Sequence, residues 1–308
     1  MNDYLWDKSG EPDPEIQRLE DLLSSVKYRG SRISFPRKRW VPFAVAASLI
    51  LATAGAWMAL HRESAGWQVS ALAGNPGVTR LAKGQFLQTD ANSRAKLELA
   101  DVGEVEVEPN TRIGVVAIRP DEQRLELKHG KIHASIWAPP GRFSVNTPSA
   151  LTVDLGCAYT LEVSEDGVGL VRVTAGWVAF ESNGTESFIP ATAICKTRPG
   201  RGPGIPFYED APESLRVAVE RFDVSGILAS ATPRDAMTIW HLLRRVPADR
   251  RGEVYDALAQ RMSIPPGVSR NLVIEGDANS IDRLWDALDL GNTSSWRLWK
   301  SRTPYLPK

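Results

Sequence analysis

Residues 41–60 read VPFAVAASLILATAGAWMAL and carry no charged side chain. Ser48 and Thr53 are the polar members, and both hydroxyls can bond back to their own helix. A bilayer core about 30 Å thick takes about 20 helical residues to cross. A helix is the open segment that satisfies its own backbone in lipid. Trp40 and Trp57 stand near the two ends, where amphipathic rings favour the interface. A core helix of a soluble protein of this length normally carries a polar stripe, and this run has none. The sequence therefore predicts one transmembrane helix over residues 41–60.

The flanks orient it. Lys27, Arg29, Arg32, Arg37, Lys38 and Arg39 precede the run with no acidic residue among them, whereas residues 61–79 carry only Arg62 and Glu63. Positive flanks stay in the cytoplasm, so residues 1–40 are expected inside and residues 61–308 outside. A cleaved signal peptide places its charged region within a few residues of the start. Here 40 residues precede the run, which reads as an uncleaved anchor.

Residues 1–40 form a short tail. Asp13 is placed to cap a helix and Pro14 to open it. Ile16, Leu19, Leu23 and Val26 then recur at helical spacing. A lone amphipathic helix is marginal in water. The tail is either a simple tether or a docking helix that offers these four residues to a cytoplasmic partner, since groove binding uses this spacing.

From residue 67 to about residue 195 the period changes from 3.6 to 2. Residues 95–99 (AKLEL), 105–108 (VEVE), 125–128 (LELK) and 171–174 (VRVT) alternate as half-buried strands do. Asp166-Gly167 and Asn183-Gly184 each lie between apolar runs, a strong hairpin signal. Many short strands with frequent turns make a sandwich, a barrel or a solenoid of hairpins.

This stretch resembles the FecR domain. The resemblance runs through Gly84, Leu87 and Thr89, then Leu97, Leu99, Asp101 and Gly103, then Val105, Val107 and Pro109. It continues through Leu125, Leu127, Gly130 and Ile132. Its most specific part is residues 143–148 (FSVNTP), followed by Val153, Gly156 and Tyr159, and it closes on Val171, Val173, Gly176, Trp177 and Val178. It covers about residues 67–185. Cys157 stands where the family usually has threonine. The resemblance implies a periplasmic all-β domain behind one span in a bacterial inner membrane. It also implies signalling in which the cytoplasmic end holds or activates an extracytoplasmic-function sigma factor. The tail is shorter than a full sigma-binding helical domain, and the C-terminal part does not resemble the receptor-contacting module of the best-known members.

Residues 197–212 (TRPGRGPGIPFYEDAP) read as a Pro/Gly linker. Gly200, Gly202 and Gly204 do not make a phosphate-cradling loop, because no helix opens after them and no lysine is placed. Residues 213–308 return to helical patterning as a small module. Thr232 caps one helix, with Ala236, Ile239, Trp240 and Leu243 on its face. Residues 247–262 form a second, with Val254, Leu258 and Met262 inward. Asn279 caps a third bearing Leu284, Trp285 and Leu288, and Gly291 ends it. Trp240, Trp285, Trp296 and Trp299 read as packing residues rather than a ligand cage.

The expected class is mainly β: a transmembrane helix, an all-β domain over residues 61–196, a linker and a helical C-terminal module. The 37 basic and 37 acidic residues balance, which removes the electrostatic case for nucleic acid. No catalytic residue, cofactor site or metal site is expected. His129 and His133 lack a further ligand at metal spacing, and His61 and His241 stand alone. No serine sits in a nucleophile elbow. The two cysteines, Cys157 and Cys195, both fall on the expected exterior and allow one pairing. A disulfide between them is expected, with two buried thiols as the alternative.

Two functions fit these readings. One is a non-enzymatic membrane regulator with an exterior sensor domain and a sigma factor or another cytoplasmic protein at the tail. The other is an anchored envelope protein that binds a polymer or an extracytoplasmic protein.

Overall fold

A computed structural model describes residues 14–26 and 66–290. The expected span at residues 41–60 lies outside the described residues, and among those described no helix is long and apolar enough to cross a membrane. The chain divides into two units, residues 1–62 and 63–308.

In the first unit Pro14 opens a helix, α1 (Pro14–Ser24), with Glu15 in its first turn, where a carboxylate favours the helix dipole. Ser24 and Ser25 bond back to the carbonyls of Asp21 and Leu22 at its end.

The second unit is mainly β, with helices at its C-terminal side. Its first eight strands are β1 (Gly66–Ala73), β2 (Arg80–Ala82), β3 (Phe86–Gln88), β4 (Arg94–Glu98), β5 (Gly103–Val107), β6 (Arg112–Arg119), β7 (Glu122–Ile136) and β8 (Phe143–Asn146). The rest are β9 (Leu151–Asp154), β10 (Ala158–Val163), β11 (Gly169–Ala175), β12 (Trp177–Ser182), β13 (Thr185–Pro190), β14 (Ala193–Arg198), β15 (Gly202–Pro203) and β16 (Phe207–Tyr208). The helices are α2 (Glu213–Arg221), α3 (Val224–Ser230), α4 (Ala236–Leu243), α5 (Ala248–Ala259), α6 (Arg270–Glu275) and α7 (Ala278–Asp286).

One long strand organises the sheets. The first half of β7 pairs with β6 and, in parallel, with β8. Its second half pairs with β5 and β10. The change of partners falls at Gly130, whose φ is +97°. A β-carbon there would stand 2.4 Å from the Thr111 Cα, so only glycine fits. Thr111 Oγ1 accepts the Lys131 N–H at 2.9 Å, and the Thr111 N–H donates to Thr89 Oγ1 at 3.0 Å. The switch is thus held by buried hydroxyls rather than by bulk.

Alternation places the expected faces inward. Leu97, Val105, Val107, Leu125, Leu127, Ile132, Val145, Val153 and Val171 are fully buried in a single core. Asn183 and Gly184 both take positive φ between β12 and β13, the two-residue hairpin turn that Asn-Gly favours.

Three expectations need correction. Residues 197–212 are not a linker. They complete β14 and form β15 and β16, both paired to β14, with Ile205, Phe207 and Tyr208 buried. The strands and the helices therefore belong to one compact unit. The third expected cap is Asp277, which accepts the Ser280 N–H at 2.8 Å, rather than Asn279.

The third correction concerns the cysteines. Cys157 and Cys195 are free and buried. Cys195 is level with Val171 and, one strand further, with Leu161. Cys157 lies four residues before Leu161. Two strand spacings and four residues of rise separate the α-carbons by roughly 16 Å, far beyond the roughly 7 Å that a disulfide spans.

Gly130→Ala is expected to cost more than about 3 kcal/mol or to prevent folding, because strain and a backbone clash add. Gly184→Ala, where nothing lies within 4 Å of the added carbon, should cost about 1 kcal/mol. Urea midpoints of the two variants check this, and equal losses would contradict it.

Candidate interaction sites

The structure places Ile16, Leu19 and Leu23 on α1 and Val26 in the turn just after it. Leu19, Leu23 and Val26 are exposed at 57%, 64% and 73%, and Ile16 is half-buried. No residue of the helix is buried. Leu22, which the sequence reading did not include, is 70% exposed. It stands three residues from Leu19 and four from Val26, so the apolar face is wider than a four-residue stripe.

A second constellation joins the helices to the sheet. β13 is an edge strand, hydrogen-bonded to β12 alone. Edge strands leave a row of unpaired backbone groups. Here one side chain from α4 and one from just beyond its end meet them. The Phe188 N–H donates to His241 Nε2 at 3.0 Å. Arg245, four residues on, donates to the Glu186 carbonyl at 3.3 Å and to Ser187 Oγ at 2.5 Å.

α4 is buried at every position from Ala236 to Leu243. Thr238 Oγ1 donates to the Pro206 carbonyl at 2.9 Å. His241 Nδ1 faces the Met237 carbonyl at 2.9 Å. That carbonyl can only accept and the Phe188 N–H can only donate, so the imidazole is neutral with its proton on Nδ1. Burial holds its pKa well below the usual histidine range, and the charges of Arg245 and Arg244 add to this.

Around this bond the aromatic rings close. Trp240 and Trp285 have centroids 4.4 Å apart, Phe188 and Trp285 5.4 Å, and Trp177 and Trp285 5.8 Å. Trp240 Nε1 donates to the Ile281 carbonyl at 2.8 Å. Trp240 and Trp285 are thus core residues, as expected, while Trp296 and Trp299 lie outside the described residues.

The cysteines sit in different surroundings. Cys157 Sγ donates to Asp154 Oδ2 at 2.5 Å, and the Gly156 N–H donates to Asp154 Oδ1 at 2.7 Å. Burial raises the Asp154 carboxyl to about 7 against these bonds, and burial together with the Asp154 charge raises the Cys157 thiol. Burial pushes the Cys195 thiol up to about 12. Neither is poised as a nucleophile, because the thiolate is the reactive form. His133 is bound by Thr160 Oγ1 at 2.9 Å and lies 3.2 Å from a Glu108 oxygen, while His129 lies 3.4 Å from a Glu165 oxygen. Among the described residues no group of three or more side chains could hold a metal ion.

Residues 85–179 match the family described as FecR protein. The FecR domain read from the sequence is therefore present over that stretch. Two crystal structures of a candidate anti-sigma factor from Parabacteroides distasonis are similar over part of the fold. One is 17% identical, covers 41% of this chain and 60% of its own, and has a TM-score of 0.36. The other is 16% identical, covers 44% of this chain and 64% of its own, and has the same TM-score. The chain thus spans less than two thirds of either neighbour's length. No curated protein matches the chain.

His241 gives a stability test. An unfolded histidine titrates near pH 6.5, and the folded one is depressed. The contribution of His241 is therefore full above about pH 6.5 and falls as acid protonates the unfolded state first. His241→Leu orphans the Phe188 N–H and is expected to cost about 1–3 kcal/mol at pH 7.5. That cost should shrink toward pH 5. Urea midpoints at the two pH values check it, and a cost independent of pH would contradict the neutral, buried imidazole.

Proposed function

We propose that this chain is a membrane-anchored, non-enzymatic regulator of the bacterial inner membrane. Its FecR domain lies on the periplasmic side, and its N-terminal helix docks a sigma factor in the cytoplasm. The match to the FecR family over residues 85–179 supports the regulatory class. The charge-free run at residues 41–60, with six positive residues before it, supports the anchor and its orientation.

The observation that carries the docking assignment is α1 itself. A helix that leaves Leu19, Leu22 and Leu23 exposed, with Val26 exposed in the turn after it, gains nothing from this apolar face until a partner covers it. Such a face suits a hydrophobic groove, with Ile16, Leu19, Leu23 and Val26 as anchors spaced to point one way. Glu15, Glu20 and Asp21 lie in the same helix and leave its polar side acidic, which would steer it toward a basic groove.

The test is capture of partners by residues 1–40 and by the same segment carrying Ile16→Ser, Leu19→Ser, Leu23→Ser and Val26→Ser. Burying one such side chain is worth about 1.5–3 kcal/mol, so the quadruple variant should lose more than about 100-fold in affinity for a sigma factor. Full retention of every partner would reject docking and leave the tail as a tether.

A further inference from the structure

The Pro/Gly stretch forms the β14–β15 hairpin, and its contribution to the surface is arginine rather than a glycine cradle. Arg198 and Arg201 flank the turn. They line a half-open cavity of about 550 Å³ whose other walls are the end of α2 and the residues after α4. Lys196, Arg198, Arg201, Arg221, Arg244 and Arg245 face it, against the two carboxylates of Glu186 and Glu220. The whole chain has no net charge, so this wall concentrates positive potential.

The pairing within the cavity is incomplete. Lys196 is bound to Glu220, and Arg244 stands 3.9 Å from Glu186 and 4.8 Å above the Trp240 ring. Arg198, Arg201 and Arg221 make no ion pair among the described residues. Arg245 is sunk against the sheet edge, and its bonds go to neutral acceptors, the Ser187 hydroxyl and the Glu186 carbonyl. Burial lowers its pKa to about 10. Buried charges are ordinarily matched by a counter-charge, and none of the described carboxylates supplies one to this guanidinium. A guanidinium fork fits carboxylate and phosphate oxygens two at a time. The volume is that of a small-molecule pocket.

We propose that this cavity binds a small polyvalent oxyanion. Arg198, Arg201 and Arg221 supply the rim, and Arg245 supplies the inner charge. The ligand would bridge the β14–β15 hairpin to the helices, tightening the junction already made by His241. This inference does not depend on what α1 docks.

Inorganic pyrophosphate and tricarballylate are titrated separately into the full-length chain by calorimetry at constant ionic strength, with sodium chloride as the blank. Tryptophan emission is followed in parallel, because Arg244 covers the Trp240 ring. Saturable one-to-one binding of either anion, with a change in emission, is expected, and the tighter of the two names the phosphate or carboxylate class. The variant Arg198→Gln/Arg201→Gln/Arg221→Gln should bind about tenfold more weakly or worse. Its substitutions lie on exposed or half-exposed positions, so its fold should persist. A control that removes three arginines elsewhere, Arg119→Gln/Arg216→Gln/Arg250→Gln, should bind as the parent does. No saturable binding of either anion would overturn the proposal, and so would equal weakening in the two triple variants.

Discussion

The Phe188 N–H has no strand to bond to on its outer side, and an imidazole provides the acceptor. Much of the C-terminal architecture follows from that bond. An edge strand exposed over its length invites pairing with another chain. This fold closes the edge with His241 of α4, while Thr238 of the same helix bonds the Pro206 carbonyl just before β16. Arg245 adds a second bond four residues on. With the edge satisfied, Trp177, Phe188, Trp240 and Trp285 close over it as one aromatic cluster. The helices are thereby an integral wall of the β-domain.

The sheet has its own constraint at Gly130. One strand serves both sheet segments, and its change of partners requires a backbone conformation with φ of +97° beneath Thr111. The FecR pattern largely describes this arrangement. Its Leu, Val and Phe positions are core residues, with Leu87, Leu97, Phe143, Val145 and Val178 each at most 1% exposed. Thr89 is the buried acceptor for the Thr111 N–H, and Thr147 closes the turn before β9 through bonds with Ala150. The pattern therefore carries fold information, while the exposed apolar face of α1 and the hairpin arginines lie outside it.

Much of the sheet was legible because alternation is a local signal. The AKLEL and VEVE runs became β4 and β5, and Asn183-Gly184 became the expected turn. The Pro/Gly stretch misled because β15 and β16 are two residues each, too short to show a period, and because proline is tolerated where a strand lies at an edge. The cysteine pairing failed for a different reason. Compartment and count favour a bond, but register decides distance, and register emerges only when β10, β11 and β14 are aligned. His241 gave no signal at all. Helical spacing marks the apolar face of α4 and leaves histidine and threonine to read as solvent-facing, whereas both bond backbone groups, His241 at the β13 edge and Thr238 at Pro206. The exposed apolar face of α1 was legible as spacing, with Leu22 missed because it falls beside the strict stripe.

The central claim is that the helices and the sheet are one cooperative unit through the capped edge of β13. Native-state hydrogen exchange at the Phe188 amide tests it most directly. If His241 caps that edge as an integral part of the fold, the amide exchanges only through global unfolding, with the same opening free energy as the amides of β10 and β11. Fast exchange at Phe188 through a local opening, while β10 and β11 stay protected, would show that the helices are a separable attachment and contradict the account.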